Sequence, residues 1–164
     1  MSSELPITVG FDGSAFSFAA LQRGLELANK LGARVQIVRA WSISNAPRPS
    51  GPDVGYVPSV DEFEAAVAAQ LHQQIDDIVA QYPNVAVEYL TPHGAAGREL
   101  IKASEHSQLI VVGTRGSGGF AGLLLGSVTD QIVEHAKCDV LVIRLADGEQ
   151  APGRTLKLDT VMTG

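Results

Sequence analysis

The chain has 164 residues, of which 45% are hydrophobic and 18% charged, and its formal net charge is −6. This balance excludes a disordered chain, and the length predicts one domain whose core needs no disulfide. The acidic charge and the lack of a basic cluster argue against a nucleic-acid partner. No apolar run approaches the roughly 20 residues that span a bilayer, so we expect no membrane partner. The single cysteine, Cys138, fits a reducing, cytoplasmic location.

The first half of the chain alternates between strand and helix patterns. A short apolar run at 5–11 predicts a buried strand, and the turn residues at 12–14 follow it. A helical stripe then runs to a glycine at position 32, and residues 35–41 predict a second strand. Residues 45–59 are rich in Pro, Gly and Ser and predict a mobile surface loop whose length fits a lid over a site.

The second half repeats the alternation. Ser59 and Glu62 form a capping-box pattern that opens a long helix. The remaining elements predicted in chain order are a strand at 85–89, a helix near 97–105, a strand at 109–112, a helix after 126 and a strand at 140–143. Five strands and four helices predict an α/β fold with an open, mostly parallel sheet. We expect one domain over 1–145 and a polar C-terminal tail over 146–164.

A glycine-rich loop follows the strongest buried strand. Six glycines lie between Gly113 and Gly126, where backbone amides are free to approach phosphate oxygens. Arg115 adds a positive charge, and Ser127 and Thr129 offer hydroxyl donors. The loop lacks the Gly-Lys-Ser/Thr of a Walker A motif and matches a Rossmann fingerprint poorly. A flexible loop without a ligand is the alternative.

The spacing Gly113-x2-Gly116-x9-Gly126-Ser127 resembles the nucleotide-binding motif of the universal stress protein family. The opening strand with its Asp-Gly-Ser turn, the second strand ending in Arg39-Ala40-Trp41, and the closing strand at 140–143 are similar to that family as well. The resemblance covers about residues 5–144 and omits the tail.

The resemblance implies a Rossmann-like fold, with a five-stranded parallel sheet in the order 3-2-1-4-5 and helices on both faces. It implies bound ATP with Mg²⁺, and a homodimer joined through strand 140–144. By position, the nucleotide-binding residues would be Gly10, Phe11, Asp12, Ala40, Gly113, Thr114, Arg115, Gly116, Gly126, Ser127, Val128 and Thr129. Asp12 would lie near the ribose or a metal ion, and Ala40 would contact adenine. Some nucleotide-binding relatives carry Pro-Thr-Asp where this chain has Gly10-Phe11-Asp12, so a hydroxyl is lost here.

Several single residues allow two interpretations. Asp12 either serves the site or only caps the next helix, and we favour the site. Trp41 either flanks adenine or anchors the core. The four histidines share no metal-ligand spacing, although His93 lies beside a predicted turn on the ligand side. Cys138 is expected to be a small packing residue.

These features favour an ATP-binding regulatory or sensor module of a stress response, with no catalytic residue. A slow ATPase or nucleotide hydrolase is the first alternative, but hydrolysis needs a positioned water and charge stabilisation, and the sequence shows no evident general base. A nucleotide-free dimeric scaffold is the second alternative. The intact glycine motif argues against that scaffold, because a lost site would be free to replace its glycines.

Overall fold

The fold is a single parallel sheet with helices on both faces. The computed structural model describes residues 5–115 and 124–145. Its elements in chain order are β1 (Ile7–Gly10), α1 (Ala15–Leu31), β2 (Val35–Val38), α2 (Val60–Val79), β3 (Val87–Leu90), α3 (Ala96–Ser104), β4 (Leu109–Gly113), α4 (Ser127–His135) and β5 (Asp139–Ile143). The predicted tail at 146–164 lies outside the described residues.

The sheet confirms the fold predicted from the sequence. Its order is β3-β2-β1-β4-β5, and every strand pairs in parallel with its neighbour. The chain leaves β1 toward β2 and leaves β4 toward β5, which lie on opposite sides of the β1–β4 pair. In open α/β sheets, ligands bind outside the carboxyl ends of the strands at such a switch point. The topology therefore directs attention to the segments that follow β1 and β4.

Two apolar clusters cover the two faces of the sheet. The larger cluster packs α1 and α2 against one face, with Leu21, Leu25, Leu71 and Ile75 all buried. The smaller cluster packs Leu100 of α3 and Ile132 of α4 against the other face. The helix stripes predicted from the sequence supply both sets of side chains.

The predicted capping residues lie at the ends of α1 and α2. The Ser14 hydroxyl accepts a hydrogen bond from the Ser17 backbone N–H at 3.2 Å, and Gly32 ends α1 with φ +67°. At α2, the Ser59 hydroxyl accepts from the Glu62 N–H while the Glu62 carboxylate accepts from the Ser59 N–H, which is a complete capping box.

The loop at 45–59 contains no helix or strand, as expected, but it is attached to the fold rather than loose. Arg48 donates to the Tyr56 carbonyl at 3.0 Å, and the Tyr56 hydroxyl donates to Glu62 at the start of α2. The first bond lies within the loop and the second joins the loop to the first turn of α2, while the mobility of the loop stays a prediction.

Each strand differs from its predicted bounds by one to three residues at one or both ends, and β2 and β3 show why. β2 ends at Val38, and only an isolated bridge from Trp41 to His93 continues the pairing beyond it. β3 begins at Val87 rather than at residue 85, where Val85 is buried before the strand starts. An apolar run in the sequence predicts which residues are buried, and residues next to a strand, such as Trp41 and Val85, are buried without belonging to it. The predicted strands therefore extend past the observed ones here. Within the described residues, no helix is long and apolar enough to cross a membrane.

The contact between α1 and the sheet generates a first prediction. A Cβ at Gly24, in the middle of α1, would lie 2.5 Å from Val9 Cγ2 of the central strand. Ala at a helix interior is worth up to about 1 kcal/mol over Gly, but overpacking a core costs about 1–3 kcal/mol. We expect Gly24→Ala to lower the free energy of unfolding by about 1 kcal/mol, measured by urea unfolding with the fluorescence of Trp41.

Asn29→Ala is the matched control, because Asn29 is exposed on the same helix and the change adds helix propensity without a clash. Adding Val9→Ala to Gly24→Ala removes the clashing methyl, so the two changes together should cost less than the sum of their separate costs. A Gly24→Ala protein more stable than the wild type would contradict the close approach.

Candidate functional site

A cavity of about 290 Å³ opens at the carboxyl end of the sheet, at the switch point between β1 and β4. The segments that follow β1, β2 and β4 meet there with the start of α4. The described lining residues are Gly10, Phe11, Asp12, Ser17, Val38, Arg39, Ala40, Asn45, Ala96, Leu100, Val112, Gly113, Arg115, Gly126, Ser127, Val128 and Thr129.

The structure brings most of the predicted binding residues to this one cavity. Ten of the twelve line it, although they come from three separate stretches of the chain. Thr114 is buried beside the cavity, and Gly116 lies outside the described residues, as does the rest of the loop through 123. The sequence motif and the tertiary cavity thus coincide wherever both are described.

The end of β1 forms the floor of the cavity. A Cβ at Gly10 would lie 2.9 Å from Leu100 Cδ1 and 3.0 Å from Val112 Cγ1, so the glycine keeps this part open. Asp12 Oδ1 accepts a hydrogen bond from the Ser14 N–H at 2.9 Å. The carboxylate of Asp12 thus stabilises the turn before α1 and also lines the cavity, whereas the N-cap of α1 is Ser14. The role of Asp12 in binding stays a prediction.

Hydrogen bonds tie the end of β4 to the start of α4. The Thr114 carbonyl accepts from the Gly126 N–H at 2.7 Å, and the Thr114 N–H donates to the Ile143 carbonyl of β5 at 2.9 Å. The Thr129 hydroxyl donates to the Gly113 carbonyl at 2.8 Å. Thr114 thus makes both of these bonds through its backbone, and the Thr129 hydroxyl donates its proton within the protein. The predicted contact of Thr129 with phosphate stays a prediction.

The start of α4 faces the cavity without a side-chain cap. Gly126 is the N-cap residue, with φ −70° and ψ 160°, and it has no side chain to accept from the first turn. The amide groups of that turn have no intrahelical partners, and the helix dipole places partial positive charge there. Ser127 is exposed beside them and lines the cavity. This arrangement favours an anionic ligand.

Three charged residues line the cavity. Arg39 and Arg115 line it together with Asp12, which is the one carboxylate among the described lining residues. Burial lowers the pKa of Arg39, and the charge of Asp12 raises that pKa in opposition. Arg39 was not among the predicted binding residues, although it directly precedes the predicted residue Ala40. The structure shows that Arg39 lines the cavity as well.

The sequence did not predict the apolar residues that line the cavity. Val38, Leu100 and Val112 line it and belong to the cluster on the α3 and α4 face. Their burial was predictable from the strand and helix patterns, but their meeting at one cavity depends on the packing of α3 against β1 and β4. Ala96, Ser17 and Asn45 complete the missed set, and no local pattern marks them.

Trp41 belongs to the core rather than to the cavity. Its side chain is fully buried, packs against Phe63 and Val67 of α2, and donates from Nε1 to the Thr91 carbonyl at 2.9 Å. The exposed ring of His93 stacks on it with the ring centroids 4.5 Å apart. Of the two interpretations of Trp41, the structure therefore supports the anchor of the core and not the residue beside adenine.

Cys138 lies half-buried against the smaller apolar cluster. Burial raises the pKa of its thiol. A thiol that holds its proton is a poor nucleophile, which fits the packing role expected from the sequence.

A family model and individual relatives both identify the same protein family. The universal stress protein family matches residues 5–144. A universal stress protein of Mycobacterium tuberculosis strain H37Rv is 32% identical over 143 residues, which are 86% of this chain and 46% of that protein. This chain therefore spans about half the length of the curated relatives it matches.

Solved structures share the fold over most of the chain. Universal stress protein UspA from Lactobacillus plantarum superposes with a TM-score of 0.67 at 21% identity, covering 87% of this chain and 100% of that one. A universal stress protein crystallised in complex with cAMP superposes with a TM-score of 0.64 at 25% identity, covering 88% and 100%.

The bond between Thr129 and Gly113 generates a second prediction. Thr129→Val keeps the side-chain volume but leaves the buried Gly113 carbonyl without its donor, which costs about 1–3 kcal/mol. We expect a fall of that size in the free energy of unfolding, measured by urea denaturation. Thr129→Ser keeps the hydroxyl and is the control, with a smaller fall expected from the lost methyl group. Equal stability of the Val variant and the wild type would show that the bond does not hold β4 to α4.

Proposed function

This chain belongs to the universal stress protein family, and we propose that its cavity binds ATP as part of a regulatory module in a stress response. The observation that carries the proposal is the start of α4 without a side-chain cap, at a cavity that is also lined by the apolar side chains of Val38, Leu100 and Val112. An anion-binding end next to an apolar end matches the two halves of a nucleotide.

The phosphate end is assigned to the loop after β4 and the start of α4. Backbone amides of the first turn supply donors, Ser127 adds a hydroxyl, and Arg115 adds a positive charge. Gly113 and Gly126 bound this end, and Gly116 falls within it by the motif spacing. A side chain at Gly113 would meet the Phe16 backbone at 2.9 Å, so glycine is required where β4 passes α1.

The nucleoside end is assigned to the other side of the cavity. Val38, Leu100 and Val112 form an apolar wall suited to the face of a base. The backbone of Ala40 lies at the same end and is placed to contact adenine, as the family resemblance implies. Asp12 lies between the two ends, next to where the ribose would bind.

A structural neighbour supports an adenine nucleotide. The universal stress protein with a TM-score of 0.64 was crystallised in complex with cAMP. We take ATP rather than a cyclic nucleotide as the ligand here, because the complete glycine motif and the uncapped helix offer more phosphate donors than one cyclic phosphate needs.

Mg²⁺ would accompany ATP rather than occupy a site of its own. Asp12 supplies one carboxylate, and Mg²⁺ in nucleotide sites takes one or two carboxylates with the remaining oxygens from phosphates and water. The metal would neutralise phosphate charge there. No group of three or more metal-binding side chains occurs among the described residues, so the phosphates would provide most of the ligands.

Binding is proposed rather than turnover. Rapid phosphoryl transfer requires a group that orients the attacking water, together with charges that stabilise the transferring phosphoryl group. The described cavity offers Asp12 as its one carboxylate, and that carboxylate already accepts from the Ser14 N–H. We therefore expect bound ATP to persist for hours.

Blocking the start of α4 gives the third prediction. Ser127→Glu places a carboxylate in the first turn, where it is favourable for the helix but repels phosphate. We expect ATP affinity to fall at least about 10-fold, because like charges near 4 Å repel by a few kcal/mol even with partial screening. The measurement is calorimetric titration with Mg-ATP, with thermal unfolding to show that the fold is kept.

Val60→Glu is the matched control, because Val60 is the first residue of α2 and is also exposed, but it does not line the cavity. Its ATP affinity should equal that of the wild type. Unchanged ATP affinity in Ser127→Glu would contradict the placement of the phosphates at the start of α4. Steady release of ADP from the wild-type protein would favour a slow ATPase over a binding module.

We also propose a homodimer through strand 140–144. β5 is an edge strand, and its apolar residues Val140, Leu141, Val142 and Ile143 stay partly exposed. An apolar edge strand with an open side invites pairing with another strand. A second copy of this chain supplies the same edge and closes the pair by two-fold symmetry.

The dimer gives the fourth prediction. Val142→Lys adds a charge to the proposed interface, so we expect the mass from light scattering at micromolar concentration to change from dimer to monomer. Glu88→Lys adds the same residue to β3, the opposite edge strand, and should leave the mass unchanged. A monomeric wild-type protein would refute the proposed dimer.

A further inference from the structure

Asn45 brings the loop at 45–59 to the cavity. It is the one residue of that loop among the described lining residues, and the sequence did not predict it. The chain leaves β2 after Val38, passes Ala40 and turns at Ser42 before it reaches Asn45. The loop therefore adds a polar side chain to the cavity from the same segment as Ala40.

Hydrogen bonds to Ser42 fix the orientation of the Asn45 amide. Its Oδ1 atom accepts from the Ser42 N–H at 2.8 Å, and the Asn45 N–H donates to the Ser42 carbonyl at 3.1 Å. Only the oxygen of an amide side chain can accept from an N–H, so this bond tells the oxygen from the nitrogen. Among the described residues, no acceptor is hydrogen-bonded to Nδ2. Two N–H donors thus remain for a ligand at the cavity.

The turn that carries Asn45 is fixed to the core. The Ala46 N–H donates to the Ser42 carbonyl at 2.9 Å, and Ala46 packs against the buried cluster around Trp41. A side chain that is already held in place loses less conformational entropy on binding than a free one. The Asn45 amide is therefore a preorganised donor.

The strand order places Asn45 away from the phosphate end. The ends of β4 and β2 are two strand spacings apart, about 10 Å, with the end of β1 between them. With its phosphates at the start of α4, a nucleotide that crosses the cavity brings its base to the segment after β2. An uncharged amide is a weaker phosphate donor than a charged group, but its N–H groups suit the ring nitrogens of a base.

Ala40 narrows the choice of ring nitrogen. Its backbone N–H and carbonyl form no backbone hydrogen bond among the described residues, so a donor and an acceptor lie next to each other there. This pair matches N1 and the 6-amino group of adenine. N3 and N7 remain as acceptors on the purine ring, and Asn45 offers them an N–H donor from the same segment.

We propose that Asn45 is a specificity-determining residue whose Nδ2 donates a hydrogen bond to N3 or N7 of the bound purine. This role rests on the proposed function. The Oδ1 atom stays bonded to the Ser42 N–H, so the first turn of the loop at 45–59 becomes part of the binding site. A base without that ring nitrogen leaves the donor without its acceptor and binds more weakly.

The test compares ATP with 3-deaza-ATP and 7-deaza-ATP by calorimetric titration in excess Mg²⁺. Each analogue replaces one ring nitrogen by C–H and keeps the shape of the base. We expect the wild-type protein to bind one of them about 3- to 10-fold more weakly than ATP, which is the net effect of one lost hydrogen bond. The analogue that shows this loss identifies the nitrogen.

Asn45→Asp is the decisive variant. It keeps the shape of the side chain and an oxygen for the Ser42 N–H, but it replaces the N–H donors by an acceptor. The added charge weakens all three nucleotides alike and cancels in the ratio of their affinities. We expect ATP and the sensitive analogue to bind this variant equally within about 2-fold, since the coupling between Nδ2 and the ring nitrogen is gone.

Two further variants control for charge and for the turn. Asn29→Asp makes the same change at an exposed position of α1 that does not line the cavity, and it should keep the wild-type preference. Asn45→Ala removes the donor without adding a charge and should lose the preference. Thermal unfolding shows whether each variant is folded, and Asn45→Asp serves alone if Asn45→Ala is not.

The outcomes separate the two proposals. A preference for ATP that survives in the folded Asn45 variants overturns the role of Asn45, even if all three nucleotides bind more weakly. Equal binding of ATP and both analogues by the wild-type protein overturns it as well, while ATP binding itself stands. Binding of none of the three overturns the proposed function and this inference together.

Discussion

The junction between β4 and α4 is the constraint on which the site depends. Two hydrogen bonds hold the helix start against the strand end: the Gly126 N–H donates to the Thr114 carbonyl, and the Thr129 hydroxyl donates to the Gly113 carbonyl. The strand itself is fixed by its parallel pairing with β1 and β5. Because the helix cannot tilt without breaking these hydrogen bonds, the amides of its first turn, which have no partner within the helix, stay at the cavity. Rigid placement of donors is what makes a helix start useful for binding an anion.

The polar groups of the cavity balance one another. Arg39, Arg115 and Asp12 line the same cavity, and the helix dipole adds partial positive charge at α4. The local charge therefore favours an anion, although the whole chain carries a net charge of −6. A small anion can be bound by backbone amides and a few side chains, so its site does not require a basic protein. A nucleic acid, by contrast, is usually bound by an extended basic surface.

The apolar groups show why the same fold carries both a core and a site. Val38, Leu100 and Val112 belong to the smaller apolar cluster, and they also form the cavity wall. Gly10 keeps this region open, because a side chain there would press on Leu100 and Val112. The cavity is thus an unfilled extension of the core at the end of the sheet, rather than a separate pocket added to the surface.

The sequence by itself determined the elements, the sheet class, the capping box at Ser59 and the glycine motif, because each depends on residues close together in the chain. With the family resemblance, it also identified the strand order and ten residues that line one cavity. Only the tertiary structure decided that Trp41 is core, that the Thr129 hydroxyl is used within the protein, and that Arg39 is buried at the same cavity as Asp12. These outcomes depend on contacts between distant segments, which local patterns do not encode.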